Sequence, residues 1–286
     1  MLRTIILSSS LLAASAFGVL TAESLSEAPP ATLEAGYGQL YNLQFAAAHQ
    51  TFQDWQRNHA DDPLAPASDA AQYLFAEFER MHILQSEFFT HDQHFFTDHK
   101  LAPDPQVKQR FEEALASSRR LAAQQPGTPR AEFAAVLCDG LESDYTGLIE
   151  KRYAAAFTQM KAGRARAERL VAANPTYYDA WLAVGVENYM LSVKPAPVRW
   201  LLRMSGGQTD KSLGLEKLRL TAEKGHYLAP FARLLLAVAA LRDGHTDEAR
   251  NLLAGLTREF PQNPLYASEL KRLAAPGSRP AEGSLP

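Results

Sequence analysis

Cysteine is almost absent from this sequence. Cys138 is the only one among 286 residues, so the chain forms no internal disulfide bond and contains no paired CxxC zinc motif. Phe133, Val136 and Leu137 flank Cys138 at helical spacing. This pattern indicates a small buried side chain rather than a nucleophile, because burial suppresses the thiolate. Stability must therefore come from packing.

An excess of either charge is lacking as well. The formal net charge is −3, so the chain has no basic field that would attract a polyanion. We interpret local clusters such as Arg119 with Arg120 as solvated helix faces. Nucleic acid is therefore not expected as a partner.

No apolar run is long enough to predict a membrane span. Residues 1–22 combine Arg3, a short apolar stretch and small-residue sites such as Ala14-Ser15-Ala16, which is typical of an export signal. We expect an exported protein, periplasmic or secreted. An uncleaved N-terminal anchor is the alternative. A linker at 23–32, a folded domain at 33–273 and a disordered tail at 274–286 complete the predicted organisation.

Enzyme signatures are also lacking: there is no HExxH, no phosphate-loop spacing and no nucleophile elbow. The nearest approach to a metal site is His91, His94 and His99, of which the first two can share a helix face. A metal-dependent hydrolase that uses these histidines is the alternative function. Surface or structural histidines are the favoured interpretation, so we predict no enzyme, catalytic residue, metal or cofactor. The Gly-rich residues 206–211 predict a capped loop before a helix at 211–224.

Helical periodicity is what the sequence has in abundance. Residues 227–261 predict two antiparallel helices joined by a tight turn at Gly244, with Thr246 as the cap of the second. Thr128-Pro129 predicts another helix start, and Ser68 with Asp69 a further one. No stretch indicates a strand with a hairpin partner, so an all-α fold is expected.

Three segments share the spacing of a small residue, a second position four residues later and a proline eight residues beyond that. They are Ala114/Ser118/Pro126, Gly163/Ala167/Pro175 and Ala249/Leu253/Pro261. Over about residues 33–273 the chain resembles tetratricopeptide repeat (TPR) proteins of a bacterial exported type. The resemblance implies stacked antiparallel helical hairpins, a TPR-like α-solenoid with buried small residues at Ala114, Gly163 and Ala249. It also implies a concave groove that holds a peptide or protein segment, in a non-catalytic scaffold of the cell envelope.

Residues 177–189 are the expected floor of that groove, with Gly185 allowing a neighbouring backbone to approach closely. The polar members would bind a peptide backbone and Tyr177 would stack on it. The predicted partner-binding residues are Tyr177, Asp179, Trp181, Glu187, Asn188 and Tyr189. The alternative is that the aromatic members fill the core.

The chain departs from the repeat pattern after this helix. In place of a tight turn it has a Pro-rich connection and a short amphipathic piece at 198–204. Arg199, Trp200 and Arg203 resemble an interfacial anchor, so contact with a membrane is a third possibility. The sequence predicts neither the partner nor the oligomeric state.

Overall fold

The computed structural model describes residues 31–84 and 102–274. The predictions for 1–30, for 85–101 with its histidines, and for 275–286 lie outside them. The described residues form twelve α-helices and no strand, which confirms the all-α class. The helices are α1 (Leu33–Tyr41), α2 (Phe45–Asn58), α3 (Leu64–Arg80), α4 (Pro105–Ala123), α5 (Pro129–Asp144), α6 (Tyr153–Ala173), α7 (Trp181–Ser192), α8 (Ala196–Met204), α9 (Lys211–Lys224), α10 (Ala229–Arg242), α11 (Thr246–Glu259) and α12 (Pro264–Ala274). A π-helical stretch, Tyr145–Ile149, follows α5, and a 3-10 turn, Tyr178–Ala180, precedes α7.

Helix packing follows chain order. Each helix packs on the next from α1 to α7 and from α9 to α12, while α7 packs directly on α9. The exception is α8, which lies in the connection between α7 and α9 and makes few contacts with α7. Most of the helix–helix packing is therefore between helices that are neighbours in the chain. A TPR-like solenoid remains a prediction.

Capping side chains fix helix starts that the sequence predicts. The Thr128 hydroxyl accepts an N–H from the first turn of α5, with Pro129 at the first helical position. Asp210 caps α9 in the same way. α11 begins at Thr246 itself, with His245 in the cap position, one residue earlier than the predicted cap. Such small differences at helix ends are expected, because ends fray.

The predicted helix start at Ser68 and Asp69 is wrong. α3 begins at Leu64, whose N–H donates to Asp62 Oδ1 at 3.0 Å, and both predicted capping residues lie buried inside the helix. Pro66 does not end a helix here, because it falls in the first turn of α3, where its missing N–H has no intrahelical partner to lose.

Small residues lie where helices pack closely. Gly163 and Ala249 are buried, as predicted, and a Cβ added to Gly163 would lie 3.2 Å from the Cβ of Asp139 on α5. Ala114, in contrast, is only half-buried. The buried residues of α4 are Phe111, Leu115 and Ser118, so α4 faces its neighbours through those positions.

A tight crossing joins α7 and α9. A Cβ added to Gly185 would lie 3.0 Å from the backbone nitrogen of Leu218, and one added to Gly214 would lie 2.6 Å from the backbone nitrogen of Tyr189. Each helix thus presents a glycine to the backbone of the other, which permits the short separation. The close approach predicted at Gly185 is confirmed.

The first helix contacts the last third of the domain. The Tyr41 hydroxyl donates to the carbonyl oxygen of Tyr227, in the α9–α10 connection, at 2.9 Å. The Asn263 side chain donates to the Tyr41 carbonyl oxygen, also at 2.9 Å. The Tyr37 ring lies 5.1 Å from the ring of Tyr227 and 5.6 Å from that of Phe52. α1 therefore joins the N-terminal helices to the C-terminal ones.

A small apolar cluster around Tyr189 and Leu218 lies between α7, α9 and α10. The main apolar core extends from Leu33 in α1 to Leu273 in α12. Cys138 belongs to it, and its Sγ lies 3.3 Å from the Ser118 hydroxyl. Burial raises the pKa of the Cys138 thiol to about 11. The predicted burial of Cys138 is confirmed, and a thiol with that pKa is protonated at neutral pH.

Candidate functional site

Of the six predicted partner-binding residues, Tyr177 and Asp179 precede α7, and Trp181, Glu187, Asn188 and Tyr189 lie on it. The four buried ones are Asp179, Glu187, Asn188 and Tyr189. Tyr177 and Trp181 are half-buried. The Tyr177 ring lies 5.4 Å from that of Phe133, and the Lys217 ammonium lies 4.3 Å above the Trp181 ring. These aromatic side chains pack within the domain, and their binding to a partner remains a prediction.

Asp179 binds the backbone of the α9–α10 connection. Its carboxylate accepts the N–H groups of His226 at 2.9 Å, Tyr227 at 3.1 Å and Leu228 at 2.8 Å. Burial raises the pKa of Asp179, and the three N–H bonds oppose that rise because they favour the charged form. The carboxylate thereby holds Tyr227 where α1 contacts it.

Glu187 and Asn188 bind a second stretch of the chain's own backbone. Glu187 accepts the Gln208 N–H and the Arg164 Nε–H, both at 3.0 Å. Asn188 accepts the Asp210 N–H at 3.1 Å and donates to the Gln208 side chain at 2.8 Å. Burial raises the pKa of Glu187, and the bonds from Gln208 and Arg164 oppose that rise. These side chains fix the loop that leads into α9.

The Gly-rich loop forms an open hollow of about 550 Å³ beside the start of α9. Its N–H groups bind acceptors of the chain itself: Gly207 donates to the Leu202 carbonyl oxygen, Gln208 to Glu187 and Asp210 to Asn188. The Asp210 carboxylate in turn accepts the Leu213 N–H at the start of α9. The Arg203 Nε–H donates to the Thr209 hydroxyl oxygen at 2.5 Å. The loop therefore has the capping role that the sequence predicts for residues 206–211.

A half-open groove of about 260 Å³ lies where α1 and α3 face α10, α11 and α12. We call it the apolar groove. Its apolar walls consist of Leu40, Tyr41, Leu43, Phe75, Leu84, Phe231, Leu234, Ala237, Val238, Leu241, Leu253, Leu265 and Tyr266. Its polar lining is small and comprises Asn263, Ser268, Glu269 and Arg272. Residues from both ends of the domain thus meet in one concave surface.

Leu43 enters the groove wall from a strained backbone. Its φ is 59°, in the left-handed region that a side chain makes unfavourable by about 1 kcal/mol. The Gln44 N–H donates to the Gln39 carbonyl oxygen at 2.9 Å and closes the end of α1. At such a helix end the left-handed position, here Leu43, is usually glycine. His82, with φ 58°, lies in the turn after α3, two residues before Leu84. A leucine at this turn loses stability but adds an apolar side chain to the groove, and strain of this kind often marks a functional surface.

Sequence reasoning did not find the apolar groove. The apolar residues of α10 recur at helical spacing, which predicts a helix but not a groove wall. A usable signal was present: between Phe231 and Leu241, every residue of α10 except Arg233 is apolar, so the apolar side chains extend around most of the helix. A helix of that kind has more apolar surface than one helical partner covers.

Among residues 31–84 and 102–274, no three or more His, Cys, Asp or Glu side chains converge as a metal site. The proposed ligands His91, His94 and His99 lie outside those ranges. Within the same ranges, no helix has both the length and the apolar content needed to cross a bilayer.

We compared the chain with protein-family models, with curated proteins and with solved structures, and none of them matches it. The tetratricopeptide resemblance therefore rests on residue spacing alone, as at Gly244, Ala249 and Pro261.

Proposed function

We propose that this chain is a non-catalytic binding protein of the cell envelope, and that it holds an apolar segment of a partner protein in the apolar groove. The groove itself carries the proposal: it is concave, open on one side and lined by apolar side chains from five helices and their connections. Export directed by residues 1–22 and a TPR-like arrangement of hairpins belong to the same proposal.

The size and lining of the groove favour a protein segment. Its volume of about 260 Å³ is below the roughly 300–1,000 Å³ of typical small-molecule pockets. A helix or extended segment would insert a few apolar side chains and leave its backbone at the edge. The charged edge carries one residue of each sign, Glu269 and Arg272, which pair with each other. The apolar contacts would therefore supply most of the affinity.

The polar groups of the groove favour binding over catalysis. Glu269 and Arg272 pair with each other. The Asn263 side-chain amide donates to the Tyr41 carbonyl oxygen and accepts the Leu265 N–H. Proton transfer requires a group that is available to the substrate. The metal-dependent hydrolase at His91, His94 and His99 remains the alternative hypothesis.

Site-specific photo-crosslinking in the native cell envelope tests the proposal. A photoreactive side chain at Leu234, in the groove wall, should label one partner. The matched control is the same side chain at Asn251, which is exposed on α11 and does not line the groove. Ser268→Trp, at an exposed edge position, should cover the groove and abolish the adduct while urea unfolding stays unchanged. Equal labelling from both positions, or an adduct that survives Ser268→Trp, would contradict the proposal.

A further inference from the structure

The α8 helix exposes an apolar surface that the fold leaves uncovered. None of its residues is buried, and the exposed fractions are 43% for Val198, 63% for Trp200, 60% for Leu201 and 71% for Met204. Four of the five exposed large hydrophobic residues in the described part of the chain lie on this one helix. Such a concentration of apolar side chains usually marks an interaction surface.

Hydrogen bonds hold α8 in place at its C-terminal end. The Gly207 N–H donates to the Leu202 carbonyl oxygen at 2.9 Å, and the Lys161 ammonium donates to the Ser205 carbonyl oxygen at 2.6 Å. Arg203 is bound by Thr209. These bonds attach the C-terminal end of α8 to the rest of the domain, while its apolar side chains remain exposed.

The charge around α8 is positive, although the whole chain is not. Between Glu187 and Asp210 the sequence contains three cationic residues and no acidic one: Lys194, Arg199 and Arg203. Of the two flanking acids, Glu187 is buried against Arg164, and Asp210, which caps α9, also interacts with the charge of Arg203. Arg199 donates to the Lys194 carbonyl oxygen at 2.7 Å and pairs with no carboxylate of the described residues, so an anionic surface would meet a net positive charge here.

We propose that α8 docks the protein on an anionic phospholipid surface. Trp200, Leu201 and Met204 enter the interfacial region of the bilayer, and Arg199 contacts the headgroup phosphates. Tryptophan favours that region because its ring is amphipathic, and arginine extends its charge toward water from an apolar stem. A stable protein–protein interface buries about 800 Å² on each partner, which is more than one nine-residue helix supplies. The proposal is independent of the apolar groove, because no groove residue lies on α8.

Vesicle co-sedimentation of the full chain tests this docking. The protein should bind vesicles of phosphatidylethanolamine mixed with phosphatidylglycerol, and bind vesicles of phosphatidylcholine weakly. Replacing both Trp200 and Leu201 by Ala should lower the partition coefficient about tenfold or more. Arg199→Glu should lower it about fivefold or more. The matched control is Arg258→Glu, a charge reversal at an exposed site on α11, which should leave the partition coefficient unchanged.

Three outcomes would overturn the docking. The first is equal binding to the two kinds of vesicle, and the second is equal partition coefficients for Arg199→Glu and Arg258→Glu. The third is an absence of vesicle binding together with a dimer in analytical ultracentrifugation that Trp200→Ala abolishes, which would assign the surface to a second copy of the chain. Urea unfolding should show that the variants are folded, because α8 contributes no buried residue.

Discussion

Asp144, the last residue of α5, is a carboxyl group whose ionisation opposes folding. Burial raises the pKa of Asp144 from 3.8 to about 7, because a desolvated carboxylate loses the hydration of its charge. The residue directly precedes the π-helical stretch, in which the Tyr145 hydroxyl is buried without a hydrogen-bond partner. Burial also raises the pKa of Tyr145.

This shift predicts a pH dependence of stability. Since the pKa of Asp144 is higher in the folded chain, the folded chain binds the proton more tightly than the unfolded one. The free energy of unfolding should therefore fall as the pH rises from about 4 to about 7, by up to about 1.4 kcal/mol per pH unit from this residue. Asp144→Asn should remove that part of the slope, as measured by urea unfolding across this range.

The control for this prediction is Glu223→Gln, which removes an exposed carboxylate on α9 and should preserve the slope. If Asp144→Asn and the unaltered chain gave parallel profiles between pH 4 and 7, the predicted shift at Asp144 would be wrong.

The buried polar residues show how far sequence reasoning extends at this scale. Polar positions on α7 and in the turn before it indicate a need for backbone partners, and Asp179, Glu187 and Asn188 do bind backbone N–H groups. The donors belong to the same chain, 49, 21 and 22 residues away in these three cases. A periodic pattern reveals the need for a partner but not which segment supplies it.

At the scale of elements, the crossing of α7 and α9 depends on two glycines. Gly185 and Gly214 let the backbones approach until an added Cβ on Gly214 would lie 2.6 Å from the Tyr189 nitrogen. The obstacle is backbone, so neither a rotamer change nor a flexible side chain relieves the contact.

Gly214→Ala should therefore lower the free energy of unfolding by about 2 kcal/mol or more, because the two helices must separate. Gly255→Ala on α11 is the matched control, since an added Cβ there meets no atom within 4 Å. It should raise stability by about 0.5–1 kcal/mol through the better helix propensity of alanine. Urea denaturation of both variants measures the difference, and equal effects would contradict the tight crossing.

The sequence predicted helices and turns correctly where they depend on capping and turn residues that are close together in the chain. The helix at Lys211–Lys224 and the positive φ of 77° at Gly244 agree with capping and turn chemistry read from neighbouring residues. The predicted start of α3 at Ser68 and Asp69 lies after Pro66, whereas the helix begins before it, at Leu64. Proline stops a helix from the interior but is compatible with its first turn.

At the scale of the whole molecule, α1 determines the shape of the apolar groove. Its contacts with Tyr227 and Asn263 join residues 186 and 222 positions apart. Helical periodicity contains no information on pairing over such separations, so the sequence predicted a concave surface in a different place, on residues 177–189. Leu43, which follows α1, lies beside α10 and α12 in the same region.

The central claim is that this groove holds an apolar segment of a partner. Methyl NMR of the leucine-labelled full chain tests it most directly, with the segment identified by crosslinking added as a synthetic peptide. The account predicts that methyl resonances of Leu43, Leu234 and Leu265 shift on titration, that Leu201 on α8 stays unchanged, and that Ser268→Trp abolishes the shifts. Shifts confined to Leu182 on α7 or to Leu201, with the groove methyls unmoved, would contradict the claim.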